Sequence, residues 1–401
     1  MCTAVRGPTR LPLFLSPTSV NMRIAIVTHA VSSGDGQGRV NYEVARAALR
    51  RGHEVILVST DVSPELHTRP GVTWIEIPVS NVPTRLLRNL AFSLCSGRWL
   101  RAHRHELDAI LANGAITRGA VDVNAVHFVH SAWLHAPTRA RSDTPGIASL
   151  YHRLYTAVNS VAERIAFRKA RILVAVSERV RAELVEMGIA PSSITVIPNG
   201  VDLTEFRPGS VARREVRLPD SCPLALFVGD LQTRRKNLDT ILRALRRTPG
   251  LHLAVVGAID NSPYPALANR LGVAERVHFL GFRRDVPALM RTADVCVCPS
   301  RYEPFSLVAL EAMASGCPVL TTRNVGAADL IPPGAGIVLD DPEDVEAMAE
   351  ALCRVTGDAD LQRDMSRAAR QTAESYSWTR TAEGYLHLLE DAPSLSAPAM
   401  P

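Results

Sequence analysis

The chain has 401 residues, with 45 Lys and Arg against 40 Asp and Glu, 46% hydrophobic and only 5% aromatic residues. That balance suits two packed α/β domains and excludes a disordered chain; a net charge of +5 gives no reason to invoke nucleic acid. Seven scattered cysteines show neither zinc nor disulfide spacing, which fits a reducing cytosol, and no run reaches the ~18 apolar residues of a spanning helix.

Residues 1–21 read as a disordered extension. Leu11-Pro12-Leu13-Phe14-Leu15 is too short and too Pro-broken for a signal peptide, and Met22 is an alternative start. Arg23–Val27 is the first predicted strand, followed by a glycine loop, Gly34–Gly38, and a helix through Leu49. Glu54–Ser59 is the next strand, and further strands fit Thr73–Ile77, Ala109–Ala112, Ala125–Val129, Ile172–Val176 and Thr195–Ile197. The polar stretch Gly209–Arg217 sits where a linker belongs. A second series starts near Leu224 and continues through Leu251–Val256, Val277–Leu280, Val295–Cys298 and Pro318–Thr321. Strands alternating with helical stretches predict two doubly wound Rossmann-like domains, 22–205 and 206–375, then a helix over 376–390 and a disordered Ala/Pro/Ser tail, 391–401.

The densest chemical signal is Glu303-Pro304-Phe305-Ser306-Leu307-Val308-Ala309-Leu310-Glu311. Pro304 disfavours helical dihedrals at Glu303, so Glu303 is expected in a loop. Ser306 is placed to cap a helix from Leu307 to Ala314, ended by Gly316. The free N–H groups near Phe305, Ser306 and Leu307 then form a phosphate socket at the carboxyl end of the sheet. Glu311 lies roughly 6–8 Å further along the helix, at ~1.5 Å per residue, a distance that suits a ribose joined to that phosphate. Glu303 is left for the group beyond the phosphates.

This segment resembles the E-x7-E motif of the retaining glycosyltransferases of family 4, the "group 1" nucleotide-sugar transferases of GT-B fold. Val196-Ile197-Pro198-Asn199-Gly200-Val201-Asp202 resembles that family's interdomain crossing. Phe227-Val228-Gly229-Asp230 with Arg234-Arg235-Lys236-Asn237 resembles its basic donor loop. Val277-His278-Phe279-Leu280-Gly281-Phe282 resembles the segment that holds the base. Tyr376-Ser377-Trp378 onward resembles the last helix, which crosses back to the N-terminal domain.

The resemblance implies metal-independent, retaining hexosyl transfer from a UDP-, GDP- or ADP-sugar, with no cofactor. The acceptor is a glycan, a lipid-linked saccharide or a small molecule, so cell-surface polysaccharide and natural-product pathways are both open. It implies Glu303, His130 and Lys236 as catalytic groups. Donor contacts would come from Gly36, Arg235, Lys236, Phe282, Phe305, Ser306, Leu307 and Glu311. Arg235 and Lys236 would neutralise the leaving diphosphate, where charge develops in the transition state; Arg234 is an alternative to Arg235. Asp230 departs from the pattern, since many members carry Arg immediately after the glycine.

Other readings stay open on the residues alone. Gly34–Gly38 with Asp61 could form a dinucleotide fingerprint, which keeps an NAD-dependent oxidoreductase or sugar-nucleotide epimerase in view, although Thr28–Ser33 separate that loop from the strand. A non-catalytic nucleotide- or glycan-binding module is the third. His127 and His130 end a predicted strand, where alternation sets them on opposite faces. No D-x-D motif suggests a metal, and Cys296-x-Cys298 reads as core. The basic, amphipathic Arg85–Arg101 could touch an anionic membrane and hold a cytoplasmic enzyme at the inner face of the plasma membrane; a core-packed helix with a solvated Arg face is the simpler account.

Overall fold

The computed structural model describes residues 21–34, 36–135 and 147–392. The predicted extension and the tail beyond residue 392 lie outside these residues.

The first seven strands form one parallel sheet: β1 (Arg23–Val27), β2 (Glu54–Ser59), β3 (Val72–Glu76), β4 (Ala109–Asn113), β5 (Val123–Val126), β6 (Ile172–Ala175) and β7 (Ile194–Val196). The second sheet contains β8 (Leu224–Val228), β9 (His252–Val256), β10 (Val277–Gly281), β11 (Val295–Cys298), β12 (Val319–Thr322) and β13 (Gly336–Leu339). Their spatial orders are β3-β2-β1-β4-β5-β6-β7 and β10-β9-β8-β11-β12-β13. Each sheet is wound outward from its own first strand, the doubly wound plan predicted, and the whole is a GT-B architecture. The central strands are buried on both faces, which is why they read as unbroken apolar runs such as Ile24–Val27 and Val295–Cys298. Each sheet reverses direction between its first and fourth strands, and the loops leaving the carboxyl ends there are the natural ligand site.

Predicted strand bounds fall within one residue of those observed in every predicted strand but the fifth. The third strand runs Val72–Glu76, one residue earlier than expected. The fifth ends at Val126, so Phe128 and Val129 are not strand residues. Their apolar character serves a different contact: the Phe128 ring lies 5.3 Å from that of Tyr302, on the second domain. His130 therefore opens a short helix rather than ending a strand, and the alternation argument for His127 and His130 does not apply.

The expected linker is a docked turn. Arg213 donates to Thr292 O at 3.0 Å and to Asp294 Oδ2 at 2.9 Å, fastening the segment to the second domain. The last helix, Trp378–Asp391, returns to the first domain and buries Trp378, Ala382, Tyr385, Leu386 and Leu389 against the helix Gly36–Arg50 and its sheet. Its entry is threaded through the crossing segment: Val201 N donates to Tyr376 O at 2.9 Å, and a Cβ on Gly200 would stand 2.3 Å from Trp378 N. Backbone occupies that space, so no side chain fits. Gly200→Ala is expected to cost about 1–3 kcal/mol, read as a lowered denaturant midpoint with an unchanged slope.

Candidate active site

Most of the residues expected to contact the donor lie at the carboxyl edge of the second sheet; Gly36 lies on the first domain, at the start of the helix Gly36–Arg50. After β8 the chain passes Gly229, where a Cβ would press on Lys236 Cγ at 3.4 Å. Asp230 accepts from Gln232 N at 2.8 Å and Thr233 Oγ1 at 2.7 Å, so it folds the loop instead of facing an anion. Arg234–Lys236 forms one 3-10 turn, closed by Asn237 in the left-handed conformation. Asn237 is fully buried; its amide donates to Pro299 O at 3.0 Å and to Pro342 O at 2.6 Å. That anchor aims the three basic side chains. Arg234 turns to Asp239 at 3.3 Å, while Arg235 and Lys236 turn to Glu303. Arg235 and Lys236 therefore share one acid, while Arg234 pairs with another.

Glu303 follows β11. Its carboxylate accepts from Arg235 Nη1 at 3.0 Å and from Lys236 Nζ. Burial pushes the carboxyl up, but Lys236 and Arg235 together overcome it and hold the group below its ordinary range. The two cations expected to neutralise the diphosphate also bind this acid directly. The loop is clamped on its other side. Glu303 N donates to Asn324 O at 3.0 Å, Gly326 N to Glu303 O at 2.9 Å and Ala327 N to Phe305 O at 2.7 Å. A Cβ on Gly326 would lie 1.9 Å from Pro304 O, so the clamp requires glycine there.

Ser306 has φ 90 and ψ 90, a costly conformation for a residue with a side chain, and its hydroxyl caps Leu307–Ala314 by accepting from Ala309 N at 3.3 Å. Helix start, cap and end fall where the sequence put them. The Phe305 side chain is buried in the core, so only its backbone is available to a ligand. Leu307 is partly buried, and a Cβ on Gly36 of the first domain would meet it at 3.4 Å. The glycine segment and the acidic loop therefore touch across the cleft. Phe282 follows β10 with its ring 77% exposed, free to stack on a planar group.

Glu311 is partly buried on the helix, and burial with help from Glu205 pushes it up to about 7, opposed by Arg39. Arg39 belongs to the first domain, pairs with Glu43 at 2.9 Å and Asp202 at 3.4 Å, and lies over the Trp378 ring. On that same side His130 Nδ1 lies 2.6 Å from Glu163 Oε1, and the His130 N–H donates to Glu163 Oε2 at 2.8 Å. Rings connect the two sides: His130 to Phe128 at 4.9 Å, and Phe128 to Tyr302, the neighbour of Glu303.

Sequence reasoning missed three supports. Arg301 is buried and binds Asp239 at 2.8 and 2.9 Å and also Glu343. Tyr302 donates to Glu183 Oε2 of the first domain at 3.1 Å, under the Arg179 guanidinium. Glu163 is a buried acid on a helix whose other buried described side chains are Thr156 and Phe167, a signal visible only once the buried face is known. The dinucleotide alternative loses its footing. Gly36 and Gly38 lie within the helix, and Asp61 is spent in a two-residue ribbon, paired with Ala30.

Two facing Rossmann-like domains, with an acid, two cations and a capped helix at the cleft, define a nucleotide-sugar transferase. Comparison agrees: residues 210–372 match the family model "Glycosyl transferases group 1" and residues 34–205 match "Glycosyltransferase Family 4". The chain belongs to the group 1 glycosyltransferases. A D-inositol 3-phosphate glycosyltransferase of Nocardia farcinica is 34% identical over 392 residues, covering 88% of this chain and 84% of that one. The Thermobifida fusca protein of that name is 30% identical over 401 residues, covering 90% of each. Among solved structures, sucrose-phosphate synthase from Thermosynechococcus elongatus superposes with a TM-score of 0.77 at 21% identity, covering 94% of this chain and all of that one. Anabaena HepE, determined with UDP-glucose, superposes at 0.69 with 20% identity, covering 92% and 100%. The chain is a glycosyltransferase acting from a nucleotide sugar.

The raised pKa of Glu311 sets a stability test on the ligand-free protein. The folded carboxyl keeps its proton to about 7, against 4.5 ordinarily, so between those values the native state binds more protons than the unfolded one. Stability contributed at this position is therefore lost as pH rises through that window. Glu311→Gln removes the loss: its melting temperature relative to wild type is expected to climb on the order of 2 °C from pH 4.5 to 7.5, measured by scanning calorimetry, and a flat difference would contradict the assignment.

Proposed function

We propose that the protein transfers a hexose-type sugar with retention of anomeric configuration and without a metal ion. The observation that carries this reading is the Glu303–Arg235–Lys236 cluster beside the capped helix Leu307–Ala314. Two fixed cations next to a helix N-terminus supply what a divalent ion would otherwise supply to a leaving diphosphate. On donor binding the diphosphate shares Arg235 and Lys236 with Glu303. That leaves the Glu303 carboxylate ionised beside the sugar, where it holds hydroxyls and favours positive charge developing at the anomeric carbon.

The cluster offers one acid at the reacting centre. Glu311 goes to the ribose and Glu163 to His130, so the opposed carboxylates of a glycosidase are missing from this assignment. The departing phosphate oxygen takes the acceptor proton as the new bond forms on the same face. His130, oriented by Glu163, lines the acceptor side and hydrogen-bonds the transferred sugar. Gly36 allows the first domain to close on Leu307 and the diphosphate. Phe282 stacks on the base, and Glu311 accepts from the ribose hydroxyls. The name shared by the relatives makes an inositol phosphate the first acceptor to try, with glycan and lipid-linked acceptors in the same assay.

A hydrolysis and transfer screen over UDP-, GDP- and ADP-sugars with these acceptors tests the reading. Glu303→Ala is expected to lower turnover by about 10²–10³ while the protein still binds nucleotide; wild-type turnover would refute its role. Glu311→Ala is expected to raise the donor KM about tenfold or more with kcat nearly held, as loss of a uniform binding contact requires. Full activity in excess chelator and a product of retained configuration by proton NMR complete the expected result; loss of activity in chelator would overturn the metal-free assignment.

A further inference from the structure

The helices Arg85–His103 and Ile147–Lys169 carry a surface that the transfer chemistry does not use. Leu150, Leu154, Val158, Val161 and Ile165 follow helical spacing along the second helix, each between 43% and 69% exposed. Leu87, Leu90 and Leu94 make a matching stripe on the first. Only Val185 and Phe282 expose a comparable apolar side chain elsewhere among the described residues. The two helices touch: Leu86 N donates to the Tyr151 hydroxyl and Asn89 Nδ2 to the Tyr155 hydroxyl, both at 3.1 Å. Those contacts ascend together, so the two helices run side by side over Leu86–Asn89 and Tyr151–Tyr155.

Charge on this surface has one sign. Arg88, Arg98, Arg101, Arg164, Arg168 and Lys169 are exposed. The first helix contains no Asp or Glu, and the only acid of the second, Glu163, is buried against His130. No helix among the described residues is long and apolar enough to cross a membrane, so any lipid contact here is interfacial.

We infer that this two-helix face docks the enzyme on an anionic lipid bilayer, with the leucine and valine stripes entering the headgroup boundary and the arginines and Lys169 binding lipid phosphates. Apolar side chains ringed by cations match that surface in both respects. A second copy of the chain is the poorer occupant, because a two-fold contact through this face would set arginine against arginine. The sequence had singled out Arg85–Arg101 alone; the larger apolar share comes from Ile147–Lys169, whose inner face holds Glu163 against His130. Docking there sets the acceptor side of the cleft beside the membrane. The inference stands apart from the proposed acceptor and mechanism.

Co-sedimentation of the full chain with vesicles tests it. Binding to phosphatidylcholine vesicles mixed with phosphatidylglycerol, little binding to phosphatidylcholine alone, and weakening by salt are expected. Leu154→Glu with Val161→Glu is expected to abolish sedimentation. Arg164→Gln, Arg168→Gln and Lys169→Gln together are expected to weaken it on the order of 100-fold, at about fivefold per cation. Both variants are expected to keep wild-type hydrolysis of the nucleotide sugar, which shows that they fold and separates this result from any failure of the catalytic reading. Absence of sedimentation with the mixed vesicles, or equal sedimentation with neutral ones, overturns the inference. A dimer dispersed by Leu154→Glu with Val161→Glu, without vesicle binding, assigns the face to a second copy instead.

Discussion

A carboxylate sunk between two cations governs the donor side of this molecule. Glu303 meets Arg235 and Lys236 in a place where none of the three is well hydrated. Each alone would be costly there; together they keep the acid ionised and the cations aimed. The surrounding structure serves that arrangement. Asn237 fixes the basic turn from beneath, Arg301 ties the same turn to Asp239 and Glu343, and Gly326 lets the next loop close over Pro304. The strained Ser306 and its helix then set N–H groups beside the cluster. On the proposed reading, a diphosphate entering this site finds its counter-charge already in position, the condition under which fixed charges favour a transition state.

The same loop is also the junction between domains. Tyr302 reaches Glu183, Ser177 donates to Pro304 O at 2.7 Å, and Gly36 abuts Leu307. Burial pushes the Glu183 carboxyl up to about 7, against the Arg179 charge and the Tyr302 hydrogen bond. The packing of the two domains and the acidic loop therefore share contacts on either side of Glu303. The returning helix adds a second tie, since Trp378 and Tyr385 are buried in the first domain although they follow the second in sequence.

Much of this was legible in the chain because its signals are local. Unbroken apolar runs gave the central strands, and Pro304, Ser306 and Gly316 gave the boundaries of Leu307–Ala314 to the residue. What escaped was non-local. Nothing near Glu303 in sequence says that Arg235 and Lys236, almost seventy positions earlier, will bind it (separations of 68 and 67). Phe128 and Val129 read as strand because periodicity cannot distinguish a sheet partner from a ring on another domain. Glu163 and the exposed stripe of Ile147–Lys169 look alike in sequence, as members of one amphipathic helix, until the structure shows which face is covered. Asp230, a departure from the family pattern, proves to be a turn-former, while the cation pair remains intact five residues on.

The central claim is that Arg235 and Lys236, held by Glu303, read the diphosphate of the donor. Calorimetric binding of UDP and GDP against UMP and GMP measures this most directly, in wild type and in Arg235→Gln with Lys236→Gln. The account predicts that wild type prefers the matching diphosphate over its monophosphate by about 100-fold or more, and that the preference collapses toward unity in the double variant. A preference of equal size in both proteins would contradict it.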